Sequence, residues 1–174
     1  SWMLDNGPNG QGKCTKSFVS GDSAGGGLSL GVTLSLKDDG SQLPDAVMSL
    51  CPWAELDPVS DSYETNASND PYISRDAISA FRDLYIENES DLKDPYASPI
   101  YGDYDGFPPL LIQVGGREVL LDDSLKVAER AKKSGCEVKL EIWDDMVHVF
   151  QGYAPFLPEA NEALEAIAKF ILNK

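Results

Sequence analysis

An α/β fold, built on a mainly parallel sheet with helices packed against both faces, is what this 174-residue sequence predicts. Three observations predict it. Short apolar runs alternate with helix-length amphipathic stretches in the order βα β βα βα, the chain carries no internal repeat, and two of the runs are apolar on both faces. The first strand is Ser17-Phe18-Val19-Ser20, which ends at Gly21, and a helix follows from Ala24 to Lys37 with Leu28, Val32 and Leu36 four apart and Leu30 and Leu34 beside them. Asp38-Asp39-Gly40 stops that helix. Ala46 to Cys51 is a compact apolar run closed by Pro52, as expected of a buried parallel strand.

Residues 55–98 are polar and loop-rich, which predicts an insertion outside the sheet. Within it, Ser74 to Ile86 is amphipathic, with Ile78, Phe81, Leu84 and Tyr85 on one face. Leu110 to Val114 is the third strand, closed by Gly115-Gly116, and a helix from about Asp122 to Ser134 is capped by Gly135. Val138 to Ile142 alternates strictly, so one face of that strand should be wet. The last helix spans about Pro158 to Leu172, with Ala160, Leu164, Ile167 and Ile171 on one stripe and Lys169 near its C-terminus.

Composition limits the partners. A formal net charge of −15, with 14 Lys plus Arg against 29 Asp plus Glu, repels nucleic-acid backbones and disfavours anionic membrane surfaces. An acidic, solvated surface that favours solubility is the plain reading, and adaptation to high salt the sharper one. No run approaches the roughly 20 apolar residues of a membrane span, and the start lacks the pattern of a signal peptide. Cys14, Cys51 and Cys136 are too widely spaced for a zinc site or a disulfide framework, and a reducing, cytoplasmic compartment fits them; Cys51 and Cys136 are expected to be buried. No metal and no cofactor is called for.

The chemistry is concentrated at three positions. Gly21-Asp22-Ser23-Ala24-Gly25 fits G-x-S-x-G and lies between a predicted strand and a predicted helix, where a sharp turn exposes the serine. Gly21, Gly25 and Gly26 supply the small neighbours such a turn needs, and the Ala24 N–H at the helix start can face an oxyanion. A phosphate-cradling loop lacks the Lys-Ser or Lys-Thr it would require. A serine needs a base, and His148, the one histidine, lies in the loop before the last helix, where strand-end loops bring it toward Ser23. The third member is a carboxylate. Glu118 follows the strand ending at Val114 and is preferred; Asp122 remains the alternative, with Asp123 beside it at a helix start and Asp144 and Asp145 in the histidine loop.

Gly-Asp-Ser-Ala-Gly-Gly at 21–26, Cys-Pro-Trp at 51–53, Pro-Pro-Leu-Leu-Ile-Gln-Val-Gly at 108–115, Glu-x-Leu-x-Asp-Asp at 118–123 and His-Val-Phe at 148–150 together resemble the hormone-sensitive-lipase-like bacterial esterases of the α/β-hydrolase superfamily. The resemblance runs over essentially the whole chain, in order. It implies the C-terminal half of an α/β-hydrolase, with residues 1–174 as a partial catalytic domain and 55–98 as part of a cap. It also implies a triad of Ser23, Glu118 and His148 acting on short-chain acyl esters, and a homodimer formed through the strand at 138–143. Asp commonly occupies the place of Glu118 in that family. Asp22, Trp53, Tyr85, Val119 and Phe150 are the candidates to line the substrate pocket, with simple core packing the alternative for the last four. The family's upstream His-Gly-Gly-Gly loop and N-terminal cap have no counterpart in the 174 residues, and Ser1 to Pro8 reads as the end of a longer helix. The N-terminal half is therefore expected to accompany the chain, as a separate piece or as further residues. The rival readings are a non-catalytic relative that binds ligands in the same cleft and a nucleotide-binding domain.

Overall fold

The computed structural model describes residues 2–10 and 12–174. The elements run α1 (Trp2–Asn6), β1 (Phe18–Asp22), α2 (Ala24–Asp38), β2 (Ala46–Leu50), α3 (Ser62–Thr65), α4 (Arg75–Tyr85), β3 (Leu110–Gly115), α5 (Leu121–Lys133), β4 (Val138–Trp143) and α6 (Pro158–Leu172). The four strands form one parallel sheet in the order β1-β2-β3-β4, with Gly21 beside Ser49 and Ile112 beside Leu140. Residues 55–98 contribute no strand. Of the segment Ser1 to Pro8, read as a helix end, Ser1 lies outside the described residues and Trp2–Asn6 is helical.

Both faces of the sheet are covered. On one, Leu30 and Leu34 of α2 and Val127, Ala128 and Ala131 of α5 pack over Val47, Leu110 and Ile112. On the other, Phe170 of α6, with Ile167 and Ile171 partly buried beside it, packs on Ala46, Met48 and Leu111. Each fully buried Leu or Ile removes enough apolar surface from water to contribute roughly 1.5–3 kcal/mol, so these two layers hold the sheet between helices.

Two helices turn a different face inward from the one their apolar spacing predicts. In α2, Leu28 and Val32 are exposed, and the buried side is Gly26, Gly27, Leu30, Gly31, Thr33 and Leu34. Glycine explains the reversal. A Cβ on Gly27 would overlap the carbonyl oxygen of Trp53, and one on Gly31 that of Tyr96. The helix backbone thus presses directly on the loop after β2 and on the 55–98 segment, and the leucines next to the glycines reach the core. In α4, capped by the Ser74 hydroxyl accepting from Ala77 N–H at 3.2 Å, only Ile78 is buried. Phe81 and Tyr85 are exposed because they face a cavity and not the sheet, and Leu84 faces solvent.

Strand β4 is an edge strand whose Val138 and Leu140 meet the core while Lys139 is exposed. Its alternation fails at Ile142, which is 46% exposed. Replacing Gly31 by Ala should lower the urea midpoint, by about 1–3 kcal/mol of stability, through overpacking against Tyr96. Gly152→Ala, at a position with open space, should stay within about 0.5 kcal/mol of wild type. Equal midpoints for the two variants would contradict this packing.

Candidate active site

Strand β1 delivers the chain to Ser23, where the backbone takes φ 55° and ψ −122°, and α2 begins at the next residue. A non-glycine residue held at positive φ costs of order 1–3 kcal/mol and persists only where its surroundings fix it. Here they do. Ser23 N–H donates to Leu50 O at 2.9 Å, and Ser23 O accepts from Gly27 N–H at 3.1 Å and Trp53 N–H at 3.0 Å. The turn closes because Gly21 has no side chain, since a Cβ there would overlap the Gly25 carbonyl. Gly26 lies close to Leu50 and Pro52, whereas a Cβ on Gly25 would meet nothing within 4 Å, so Gly25 serves the open space beside Ser23 and not the turn itself.

His148 comes from the loop after β4 and Glu118 from the loop after β3. The Ser23 Oγ stands 2.9 Å from His148 Nε2, and His148 Nδ1 stands 2.6 Å from Glu118 Oε2. Glu118 is fully buried and His148 is 9% exposed. The other carboxylate oxygen, Oε1, accepts the Gly115 N–H at 2.6 Å. A carboxylate so placed holds the Nδ1 proton and directs the bare Nε2 at the hydroxyl. Ala24, at the first helical position, has a backbone N–H with no intrahelical acceptor, at the positive end of α2.

The other acids are elsewhere. Asp144 and Asp145 are exposed. Asp122 and Asp123 lie in the first turn of α5, yet neither caps it: Asp122 accepts the Ser62 N–H at 2.8 Å, and Asp123 accepts those of Ala54 and Glu55 at 2.8 and 2.9 Å. Both tie α5 to the chain that leaves β2. The Glu118 loop has its own supports, absent from the sequence reading. Asn66 donates to the Gly116 and Glu118 carbonyls at 3.1 and 2.8 Å, and Asp70 accepts the Val119 N–H at 3.0 Å. These partners lie about fifty residues apart in the chain, and no local pattern links them.

A cavity of about 470 Å³ opens beside Ser23, Ala24 and Gly25. Trp53 and Tyr85 line it, as expected, joined by Leu28, Ile73, Ile78 and Phe81. Asp22, Val119 and Phe150 do not. Asp22 is exposed at the end of β1, Val119 packs with Tyr63 and Leu120, and Phe150 packs with Ala160 and Ala163. Their spacing placed them near the site in sequence, but the side chains turn into the core or into solvent. Cys51, unassigned by sequence, lies against the Glu118–His148 pair. Its sulfur, a Glu118 carboxylate oxygen and a His148 ring nitrogen fall within 4.8 Å of one another, the one such group of ligand atoms among the described residues.

A model of the alpha/beta hydrolase fold matches residues 1–152, and the chain belongs to that family. Over 153 residues it is 38% identical to an acetyl-hydrolase of Streptomyces hygroscopicus, an alignment that covers 88% of this chain and 51% of the relative. Among solved structures, EstE5 in a crystal soaked with p-nitrophenyl butyrate superposes with a TM-score of 0.83 at 44% identity, over 88% of this chain and 51% of that one. An esterase from the bacterial hormone-sensitive lipase family gives 0.85 at 42%, over 88% and 51%. The chain spans about half the length of the curated relatives it matches. No helix among the described residues is long and apolar enough to cross a membrane.

Burial pushes the Asp123 carboxyl up to about 7, against the Ala54 and Glu55 N–H groups that favour its anion. Its pKa is raised, so the native state keeps a proton that the unfolded chain has released; the contribution is full below 3.8 and is lost as pH rises through about 7. Across that window, wild type should lose stability relative to Asp123→Asn. Parallel pH–stability curves from urea unfolding would contradict this.

Proposed function

We propose that this chain carries the catalytic machinery of a carboxylic ester hydrolase, with Ser23 as nucleophile, His148 as general base and then acid, and Glu118 as the residue that orients His148. The observation that carries the proposal is the unbroken line from the buried Glu118 carboxylate through both imidazole nitrogens to the Ser23 hydroxyl. Nothing in packing alone requires these three groups to meet at a strained serine.

In the proposed reaction, Ser23 Oγ attacks the ester carbonyl as its proton passes to His148 Nε2. The Glu118 carboxylate stabilises the imidazolium that forms. The Ala24 N–H donates to the oxyanion of the tetrahedral intermediate, which collapses as His148 protonates the departing alkoxide. Water then attacks the acyl-serine by the same route in reverse, with His148 again taking the proton. One oxyanion donor contributes about 3–4 kcal/mol to lowering the barrier, and a tetrahedral centre is ordinarily held by more than one. The proposal therefore includes a second donor from the family's His-Gly-Gly-Gly loop, carried by an N-terminal portion that accompanies this chain. No cofactor takes part in these steps.

The cavity sets the substrate class. Its walls, Trp53, Ile73, Ile78 and Phe81, are apolar and suit an uncharged hydrocarbon acyl group. Short acyl groups are the proposed preference, in keeping with a relative named acetyl-hydrolase and with EstE5, whose crystal was soaked with p-nitrophenyl butyrate.

A p-nitrophenyl ester series from acetate to decanoate tests the reading. The expected kcat/KM is highest for acetate to butyrate and falls for longer chains, and Ser23→Ala lowers kcat by about 10⁴-fold or more at an unchanged fold. A folded Ser23→Ala variant as active as wild type would overturn it, and a preference for decanoate would overturn the assignment of acyl length.

A further inference from the structure

Cys51 is the first residue after β2, and its side chain is fully buried. Its backbone is left-handed, with φ 47°. Across from it Val149, the residue that follows His148, is also left-handed, with φ 52° and ψ 41°. A β-branched residue in that region is an outlier that its surroundings must enforce. What faces Val149 is the cysteine: the Val149 N–H donates to Cys51 Sγ at 3.4 Å.

The thiol has a second connection. Its S–H points toward Gln151 Oε1 at 3.9 Å, Gln151 Nε2 donates to Gln113 Oε1 at 3.2 Å, and Gln113 Nε2 donates to Glu141 Oε2 and the Ala163 carbonyl at 2.8 and 2.9 Å. This buried polar chain reaches from β4 and α6 to the sulfur. Cys51 N–H also donates to Gln113 O at 2.7 Å, so the main chain is tied to Gln113 directly and the side chain only through Gln151. Burial, together with the adjacent Glu118 charge, pushes the thiol pKa well up, and the sulfur stays a neutral S–H.

The geometry points to Cys51 as a positioning residue for the Glu118–His148 pair, its sulfur holding the histidine loop through the Val149 N–H while filling the space behind carboxylate and imidazole. The role in turnover rests on the hydrolase reading above; the role in holding the imidazole does not. A bare methyl at residue 51 would leave the Val149 N–H without its acceptor and open room behind the Glu118–His148 pair. The imidazole would then be free to shift from the line that joins it to Ser23. Serine keeps an acceptor for Val149 and should substitute.

His148 is the one histidine in the chain, so its Nδ1–H can be followed by proton NMR without assignment. The short bond to a buried carboxylate should place that proton at low field in wild type and in Cys51→Ser, and Cys51→Ala should broaden or lose it. With p-nitrophenyl acetate, Cys51→Ala should lower kcat about tenfold or more with KM within about twofold, and Cys51→Ser should recover most of the loss. If Cys51→Ala does not fold, Cys51→Gly, which removes the acceptor at a left-handed position that glycine adopts without strain, is read by the same two measurements with the same expectation. A folded variant that keeps both the low-field proton and kcat overturns the assignment. The NMR signal needs no substrate: if wild type turns over no ester, the hydrolase reading fails, while loss of the signal in Cys51→Ala still upholds the positioning role.

Discussion

The reversal of the chain at Ser23 is the constraint from which the rest of the site follows. Strand β1 and helix α2 meet there with one residue between them, and that residue is held at positive φ by bonds to Leu50, Gly27 and Trp53. The same bonds fix where β2 ends and where the next loop begins. Gly27 and Gly31 then let α2 lie directly on that loop and on the 55–98 segment, which forms the wall of the cavity beside the hydroxyl. Strain at one residue, close approach at two glycines and an apolar cavity are thus one arrangement seen at three distances.

Polar side chains buried in the sheet's upper end do the remaining positioning. Asp70 and Asn66 hold the loop that bears Glu118, Asp123 holds the chain after β2, and the Gln113–Gln151 pair reaches Cys51. Asn66, Asp70 and Asp123 satisfy backbone N–H or C=O groups that the loops leave without sheet partners, where an unsatisfied buried group costs about 1–3 kcal/mol. The loops that carry Glu118 and His148 are consequently tied to the rest of the fold by side-chain hydrogen bonds as well as by their flanking strands.

Much of this was legible in the sequence, and the reasons for the remainder are physical. Strands β2 and β3 were readable because parallel strands buried on both faces are continuous apolar runs, and the elbow was readable because its glycines stand at fixed offsets from Ser23. The inward face of α2 was not, because the closest packing there involves residues without side chains, and apolar spacing gives glycine no weight. Val119 and Phe150 adjoin the residues expected to act, but a side chain next in sequence to one that faces a cleft commonly faces the core. Asn66, Asp70 and Cys51 were missed for a third reason: each acts on a loop about fifty residues away or farther, across contacts that only the folded chain creates.

The Ser23 hydroxyl is proposed to owe its nucleophilicity to the line that joins it to His148 and Glu118. Reaction with a fluorophosphonate, followed by intact mass and peptide mapping, measures this without depending on the choice of ester. A single phosphonyl group is expected on Ser23, and none on the folded His148→Ala variant. Modification at other serines with equal ease, or labelling of Ser23 that survives loss of the imidazole, would contradict the account.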